Sequence, residues 1–300
     1  MTEQGGNDLP EVVRDAGELR ARVRRWQAAG ETVGLVPTMG ALHAGHLSLV
    51  ARSASECRRT VATIFVNPAQ FGPAEDFDRY PRHLDGDLNK LRGTGTDLVF
   101  VPAADAMYPP GYATYVEVEG LSRQWEGASR PGHFRGVVTI VLKLFQSVPA
   151  DIAYFGQKDY QQSVVIRRMV ADLQLPIEIR VLPIVREPDG LAMSSRNAYL
   201  SPDDRRRALV LSQSVRLAAR LVGEGERDAR RIADRMRELI ASTDGVALDY
   251  ATLVDPDTLA ELTEIAGPAV ALVAARVGAT RLIDNEVIGD YRLQTTGYRK

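Results

Sequence analysis

The chain has 300 residues and a nearly balanced charge, with 37 Lys and Arg against 39 Asp and Glu and a formal net charge of −2. This balance excludes a strongly basic nucleic-acid-binding protein, because such a protein needs a clear cationic excess to neutralise phosphates. Hydrophobic residues make up 45% and charged residues 25%, which is typical of a folded protein and excludes an acidic disordered chain.

The cysteine content and the hydropathy pattern indicate where such a chain would work. Cys57 is the single cysteine, so no intrachain disulfide can form and a reducing compartment is favoured. No run reaches the ~18 consecutive apolar residues of a membrane span, and the N-terminus lacks the charged start and apolar stretch of a signal peptide. We therefore expect a cytoplasmic protein without membrane or nucleic-acid partners.

Strand-like and helix-like segments alternate over the first ~185 residues, a pattern that indicates parallel βαβ units. The predicted strands are residues 32–38, 60–66, 97–101, 114–118 (an edge strand), 151–155 and 177–184. The predicted helices are residues 14–29, 47–57, 84–92, 134–148 and 160–173. This alternation predicts an α/β fold with a doubly wound parallel sheet.

The pattern changes after residue 194. An Arg-rich helical region over residues 202–241, broken at residues 223–225, is followed by strand-like runs at 248–254, 269–277 and 280–283. Length alone predicts about two domains, so we expect a smaller α+β C-terminal domain. The predicted division is a disordered leader at residues 1–11, a first domain at 12–186 and a second at 187–300.

The strongest local motif is residues 37–46, PTMGALHAGH, which follows the first predicted strand and opens a helix. Ligands of open α/β sheets bind outside the carboxyl ends of strands, and a helix N-terminus there suits phosphate. His43 and His46 are three residues apart, so both face one side of the helix and could donate hydrogen bonds to phosphate oxygens. The alternatives are a helix cap plus a surface residue, and a metal site.

A second motif, residues 155–162 (FGQKDYQQ), follows another predicted strand. Gly156 permits close backbone approach, Lys158 supplies a mobile cation suited to phosphate, and Asp159 could accept from ribose hydroxyls. Gln162 could hold a polar substrate group. Because Lys158 is one of only four lysines in an Arg-rich chain, we favour a functional role over a solvated helix N-terminus.

Three weaker signals lie at other strand ends and at the predicted domain junction. Asn67 and Gln70 are neutral polar groups that could orient a small carboxylate or hydroxyl. His133 precedes an apolar helix and fits either a structural or a functional role. The junction carries two hydroxyls and a guanidinium that could neutralise phosphate oxygens, or could merely be a polar linker that caps a helix. These junction residues are Ser194, Ser195 and Arg196.

Six ordered motifs, VPTMGALHAGH, IFVNPAQF, YPR, SRPGHFRGV, FGQKDYQQ and GLAMSSRNAYL, together resemble the pantoate–β-alanine ligase family. The resemblance covers roughly residues 12–288; HAGH alone would indicate only the wider HxGH nucleotidyltransferase superfamily. It implies a Rossmann-like domain, a smaller C-terminal lid and a homodimer. It also implies ATP-dependent condensation of (R)-pantoate with β-alanine, through pantoyl adenylate, to give pantothenate, AMP and pyrophosphate.

The resemblance also implies roles for individual residues. Catalytic roles fall on His43, His46, Lys158, Ser194, Ser195 and Arg196, with His46 matching a position treated as a proton donor in the family. Gln70 and Gln162 are expected to bind pantoate, with Gln70 also close to β-alanine. ATP contacts are expected from Met39, Gly40, Ala41, Leu42, His43, Ala44, Gly45, His46, Gly156, Gln157, Lys158, Asp159, Val185, Met193, Ser194, Ser195 and Arg196.

The chain departs from the family where neighbouring acids often follow YPR and are implicated in binding Mg²⁺. Here Gly86 separates Asp85 from Asp87. We therefore expect Mg²⁺ to be held mainly by ATP phosphates and water, with Asp87 as a weak protein candidate.

Two other functions compete with the ligase. The first is a tRNA-charging enzyme or tRNA-binding relative, against which the balanced charge and the lack of an anticodon-binding segment argue. The second is an inactive nucleotide-binding module, against which the joint presence of His43, His46, Lys158 and Gln162 argues. Salt-sensitive binding of tRNA would favour the former, and ATP binding without pyrophosphate release the latter.

Overall fold

The computed structural model describes residues 9–73 and 75–291, which form two sheets with associated helices. Within these residues, no helix is long and apolar enough to cross a membrane. The predicted α/β fold with a second α+β unit is confirmed.

The first sheet has six parallel strands in the order β1-β4-β3-β2-β5-β6. The strands are β1 (Glu11–Val13), β2 (Val33–Thr38), β3 (Arg59–Ile64), β4 (Leu98–Phe100), β5 (Ile152–Gly156) and β6 (Glu178–Leu182). The chain moves outward from β2 through β3 to β4, then returns to build β5 and β6 on the opposite side of β2. The reversal makes the β2–β5 junction the topological switch point, where ligands of open α/β sheets bind.

Helices cover both faces of this sheet, because successive strand residues point to opposite sides. They are α1 (Ala16–Ala28), α2 (Ala44–Glu56), α3 (Leu84–Leu91), α4 (Ala104–Met107), α5 (Glu126–Ser129), α6 (His133–Ser147) and α7 (Tyr160–Asp172). Leu35 and Val61 pack with α1 and α6, whereas the next residues, Val36 and Ala62, pack with α2 and α3. The two apolar layers anchor the strands whose carboxyl ends carry the predicted motifs.

The second unit has an antiparallel sheet in the order β7-β8-β9, with two long helices on one face. Its elements are α8 (Pro202–Gly223), α9 (Ala229–Ala241), β7 (Val246–Val254), β8 (Ala269–Val277) and β9 (Thr280–Ile288). Ala271 and Val273 of β8 face its own core, while Val270 and Leu272 pack with Tyr160 of α7. The sheet thus joins the two units through its other face. The domain boundary at residues 186 and 187 stays a prediction.

Two segments differ from the sequence-based expectation. The edge strand predicted at residues 114–118 is wrong: Val116 exchanges hydrogen bonds with the Thr139 hydroxyl of α6 (3.0 and 3.5 Å) instead of pairing with a strand. Strand β1 was not predicted, because three residues are too few for a periodic pattern. Residue 11, the last residue of the predicted leader, is the first residue of this strand. Residues 1–8 of the leader lie outside the described residues.

Candidate active site

A cavity of about 220 Å³ lies at the switch point, at the carboxyl ends of β2, β3 and β5. The segment from Pro183 to Arg196 closes another side. A wider cavity of about 760 Å³ lies between the two units and shares Lys158, Asp159 and Gln162 with the first. The position agrees with the sequence-based argument that ligands bind at strand ends.

The turn between β2 and α2 is shaped by unusual backbone conformations and one buried carboxylate. Gly40 and Ala41 have φ values of +83° and +50°, in the left-handed region that favours glycine. The Asp87 carboxylate accepts from the backbone N–H of Ala41 (2.7 Å) and of Leu42 (2.8 Å). Asp87 is 2% exposed. Asp87 of α3 therefore holds the turn in a conformation that places the N-terminus of α2 at the cavity.

His43 and His46 form a reciprocal cap at the start of α2. The Nδ1 atom of His43 accepts from the Gly45 N–H at 3.2 Å, and the Nδ1 atom of His46 accepts from the His43 N–H at 3.3 Å. The rings lie 4.0 Å apart between centroids, and both line the cavity. Because each Nδ1 is an acceptor, each neutral ring carries its proton on Nε2.

Electrostatics keep both rings uncharged at neutral pH. Burial, followed by the charge of Lys158, lowers the pKa of His43 to about 4. Burial and then the neighbouring His43 lower the pKa of His46 to about 3. The pair can therefore offer two N–H donors to an anion without carrying positive charge.

Lys158 provides a cation at the end of β5, opposite the histidines. Its ammonium lies 3.4 Å from the Asp159 carboxylate. Burial opposes ionisation of Asp159, yet the adjacent ammonium holds the pKa of that carboxyl below its usual value. Both side chains line the cavity beside Gly156, where the absence of a side chain leaves open space. The arrangement suits a phosphate on the lysine side.

Gln70, in the turn after β3, is buried and its amide has a defined orientation. Its Oε1 accepts from Asn67 Nδ2 at 3.0 Å, and its Nε2 lies 3.1 Å from the Met39 sulfur. The Asn67 amide is itself oriented, because its Oδ1 accepts from the Tyr108 hydroxyl at 2.7 Å and its Nδ2 also donates to the Gly136 carbonyl at 3.1 Å. Gln70 therefore offers N–H donors, which suit a carboxylate or hydroxyl.

His133 supports Gln70 and does not act as a free base. Its Nδ1 lies 2.8 Å from the Gln70 carbonyl and its Nε2 lies 3.1 Å from Arg130. Arg130 in turn makes a bidentate pair with Glu75, at 2.8 and 2.6 Å. Burial, followed by the Arg130 charge, lowers the pKa of His133 to about 4. The structural interpretation of His133 is favoured by these contacts, although its ring also lines the cavity.

The junction residues approach the cavity from the side of the second unit. The Ser194 hydroxyl caps the following turn by accepting from the Arg196 N–H, and Ser195 donates to the Ala41 carbonyl at 3.1 Å. Arg196 is held by Asp76 in a bidentate pair at 2.9 and 2.8 Å. Burial opposes the charge of Asp76, yet Arg196 holds the pKa of this carboxyl below its usual value.

Most of the predicted site residues meet in one place. Those that line the cavity are Met39, His43, Gly45, His46, Gln70, Gly156, Lys158, Asp159, Gln162, Val185, Met193, Ser194, Ser195 and Arg196. Five predicted ATP contacts are not among the lining residues: Gly40, Ala41, Leu42, Ala44 and Gln157. The backbone N–H groups of Ala41 and Leu42 donate to the Asp87 carboxylate, and the Gln157 side chain donates to Asn285. Sequence reasoning missed Glu75 and Asp76, which no motif marked as partners of arginines.

Among residues 9–73 and 75–291, no protein cage for Mg²⁺ is formed. The described part of the chain contains no group of three or more His, Cys, Asp or Glu side chains placed to hold a metal ion. Asp87, the candidate from the sequence, is buried with both oxygens engaged by backbone N–H groups and does not line the cavity. Its contacts assign it to the turn.

Fold and cavity together define a doubly wound α/β protein whose switch-point cavity is lined by groups suited to an anionic ligand. A histidine pair, a lysine and oriented neutral amides surround that position. The model of the pantoate-beta-alanine ligase family matches residues 11–287, and the chain belongs to that family.

Individual relatives agree in sequence and in fold. The pantothenate synthetase of Acidobacterium capsulatum is 53% identical over 284 residues, covering 91% of this chain and 95% of the relative. A crystal structure of pantothenate synthetase from Thermus thermophilus matches with a TM-score of 0.88 at 47% identity, covering 92% of this chain and 98% of that one. A Francisella tularensis pantoate-beta-alanine ligase complexed with beta-gamma ATP and beta-alanine matches with a TM-score of 0.75 at 31% identity, covering 93% and 97%.

Proposed function

We propose that this chain joins (R)-pantoate to β-alanine in two steps at the switch-point cavity. In the first step a pantoate carboxylate oxygen attacks the α-phosphorus of ATP, giving pantoyl adenylate and releasing pyrophosphate. In the second the β-alanine amine attacks the acyl carbon, forming the amide bond of pantothenate and releasing AMP. Family membership and the relative complexed with an ATP analogue and β-alanine support this reaction.

One observation carries the assignment of the site. Residues from several separate parts of the chain converge on one cavity, among them the β2–α2 turn, the turn after β3, helix α6, the β5–α7 turn and the segment before α8. The hydrogen-bond donors among these residues include both cationic and neutral side chains. Lys158 and Arg196 provide fixed cations, whereas Gln70 and Gln162 provide neutral amides.

The phosphates are assigned to the space between the histidine pair and Lys158. The attack on phosphorus needs no protein nucleophile, so catalysis rests on positioning and on stabilising charge as it develops. Two neutral Nε2–H donors and the Lys158 ammonium supply that stabilisation. With a pKa of about 3, His46 acts in this scheme as a hydrogen-bond donor to phosphate instead of a reservoir of acid.

Pantoate is assigned to the side of Gln70 and Gln162. Gln70 presents N–H groups because Asn67 occupies its oxygen, and an N–H donor suits the hydroxyls and carboxylate of pantoate. The apolar wall contributed by α6, including Val137, Ile140 and Val141, suits the gem-dimethyl carbon of the acid. β-Alanine would enter beside Gln70.

Arg196 is already paired with a carboxylate on the edge of the cavity. Its guanidinium is saturated on one edge by Asp76, and phosphate would compete for that edge or use the remaining N–H groups. The two serines beside it lie on a segment that links the two units. Movement of this segment over bound ATP would exclude water, which otherwise hydrolyses the mixed anhydride.

Two further expectations of the family resemblance belong to this proposal. Magnesium would accompany ATP through the phosphates and water, because Mg²⁺ dehydrates reluctantly and is commonly bound through substrate phosphates. A cytoplasmic homodimer is the expected assembly, and light scattering after size-exclusion chromatography would measure about twice the chain mass of 32.9 kDa.

Product formation tests the proposed reaction directly. Purified protein would be incubated with ATP and Mg²⁺, with pantoate and β-alanine supplied singly and together. We expect pantothenate and AMP in equal amounts only when both substrates are present. ATP binding without any AMP would instead indicate an inactive nucleotide-binding module.

A further inference from the structure

Asn285 of β9 reaches across from the second unit and binds the turn that carries Lys158. Its Nδ2 donates to the carbonyl oxygens of Gln157 (3.0 Å) and Lys158 (2.8 Å), and its Oδ1 accepts from Gln157 Nε2 at 3.2 Å. The residue is 2% exposed. Both hydrogens of one amide are thus used by two successive carbonyls of a single turn.

This turn needs an external partner for those carbonyls. It joins the end of β5 to the start of α7, and its backbone is tied at the Gln157 N–H, which donates to Leu182 at 2.8 Å, and at the Asp159 carbonyl, which accepts from Ser163 at 3.1 Å. In the described part of the chain, the two carbonyls between these ties accept from Asn285 and not from a backbone N–H. Both carbonyls belong to half-buried residues, and the Asn285 amide supplies their hydrogen-bond partner.

Asn285 is itself held rigidly. The Arg186 guanidinium makes a bidentate pair with Asp284 at 2.7 and 3.0 Å and reaches the Asn285 carbonyl at 3.4 Å. The Asn285 N–H donates to Asp284 at 2.8 Å, and Asp284 is 3% exposed. The position of the β5–α7 turn is therefore tied to that of β9 through the Asn285 amide.

We infer that Asn285 is a positioning residue that sets where the Lys158 ammonium lies in the active site. Asn285 lines the wider cavity between the units but not the smaller one that contains His43 and His46. It acts through the turn: a lysine side chain has four rotatable bonds, so the backbone at its root decides which positions Nζ can reach. This inference rests on the proposed role of Lys158.

The sharpest test replaces the amide by a carboxylate of the same shape. Asn285→Asp removes both donors and turns an oxygen toward two carbonyl oxygens. Exchange of labelled pyrophosphate into ATP, with pantoate alone, reports the first step. We expect kcat for exchange to fall about 10- to 100-fold, because a displacement of about 1 Å costs up to 10² in rate. The KM for pantoate should stay within about threefold, since Gln70 lies on the opposite wall and Gln162 lies within α7, beyond the two carbonyls that Asn285 binds. Asn89→Asp, at an exposed position of α3, controls for the loss of an amide.

A double variant separates positioning from general destabilisation. In a Lys158→Ala background, Asn285→Asp should lower exchange by less than about threefold more, because the group that it positions is already absent. Full multiplication of the two losses, or an Asn285→Asp enzyme as active as wild type, would overturn the inference. Should Asn285→Asp fail to fold, Asn285→Ser keeps one donor and should show a smaller loss with the same non-additivity. Wild-type protein without pantoate-dependent exchange would contradict the proposed function itself.

Discussion

At the scale of single residues, the site works by burying groups whose charge is settled by their neighbours. His43 and His46 are neutral because burial disfavours the imidazolium and nearby cations add to that penalty. The pKa of the Asp159 carboxyl lies below its usual value, because the Lys158 ammonium lies 3.4 Å away. The cavity thus combines neutral donors with fixed charges, and both suit the binding of a triphosphate beside a small hydroxy acid.

Lys158→Ala tests the fixed cation. If the ammonium stabilises charge that develops on the phosphates, turnover should fall by about 10²–10³, with a much smaller change in melting temperature. Steady-state kinetics of AMP release measures the first and thermal unfolding the second. Lys143→Ala removes a half-buried lysine of α6 whose ammonium lies over the Tyr108 and Tyr112 rings, outside the cavity, and should stay within about twofold of wild type. A loss below threefold for Lys158→Ala would remove that residue from the chemistry.

His133→Gln tests how burial of a neutral histidine couples stability to pH. The pKa of His133 is lowered to about 4 in the fold, against about 6.5 when unfolded. As pH falls below 6.5, the unfolded chain binds a proton that the folded protein does not yet bind. The contribution of the neutral ring to the free energy of unfolding is therefore fully present above pH 6.5 and decreases toward pH 4. The variant should therefore lose less stability than wild type between pH 7 and 4.5.

The control for this pH prediction is the exposed His83, for which His83→Gln should leave the pH dependence parallel to that of wild type. Urea unfolding at several pH values gives the free energy of unfolding for all three proteins. Equal slopes for His133→Gln and wild type would contradict the account of His133.

The sequence was a good guide to individual site residues where a residue follows a strand. His43 and His46 follow β2, and Lys158 and Gln162 follow β5, in the turns and first helical residues after these strands. Parallel strands bring such segments together at one edge of the sheet. Asp76 was not predictable in the same way. It pairs with Arg196, 120 positions away, and no local pattern specifies which carboxylate meets a guanidinium across a fold.

At the scale of elements, the hydrophobic periodicity and the length of a segment decided whether it could be predicted from the sequence. Helix α6 and strand β8 are long and strongly patterned, and their predicted extents agree with the structure to within one residue. Residues 114–118 alternate like a strand, yet Val116 bonds to a side chain of α6. A two-residue period reports a half-buried extended segment, and whether that segment joins a sheet depends on partners that the local sequence does not encode.

Gly136→Ala tests the contact that positions the turn at Pro68–Gln70. A Cβ atom at Gly136 would lie 2.1 Å from the Ala69 carbonyl oxygen, so either α6 or the turn must move. We expect a loss of about 1–3 kcal/mol in the free energy of unfolding and weaker binding of pantoate through the displaced Gln70. Denaturant unfolding and the KM for pantoate measure the two effects.

Gly86→Ala is the matched control for this glycine prediction. Gly86 lies inside α3, and its added methyl group would come no closer than 3.7 Å to His83. Replacing a helical glycine by alanine without a clash should raise stability by about 0.5–1 kcal/mol. Similar effects of the two substitutions would refute the steric explanation.

At the scale of the whole molecule, the two units are joined by polar contacts around a small apolar cluster. Glu126 of α5 accepts from Arg281 of β9 at 2.7 and 2.6 Å and from the Tyr250 hydroxyl at 2.8 Å. The Trp125 indole donates to the Leu259 carbonyl at 3.0 Å. These contacts and the Asn285 amide fix the second unit beside the cavity that its junction segment helps to close.

Arg281→Leu tests the importance of the buried pair. It would leave the Glu126 carboxylate, whose side chain is 9% exposed, without its cation, and should cost about 3–5 kcal/mol of unfolding free energy. Adding Glu126→Gln should recover part of that loss by removing the unpaired charge. Arg237→Leu at the exposed pair with Asp234 should cost less than about 1 kcal/mol. Equal costs at the two sites would contradict the interface described.

The central claim is that this cavity activates pantoate as an adenylate before β-alanine takes part. Pyrophosphate exchange into ATP measures this most directly, because reversal of the first step is the only route by which label returns to ATP when amine is absent. We predict rapid exchange with pantoate alone, none without pantoate, and net AMP release only after β-alanine is added. Exchange that requires β-alanine, or AMP released without it at the full rate, would contradict the adenylate and with it the roles assigned to the cavity.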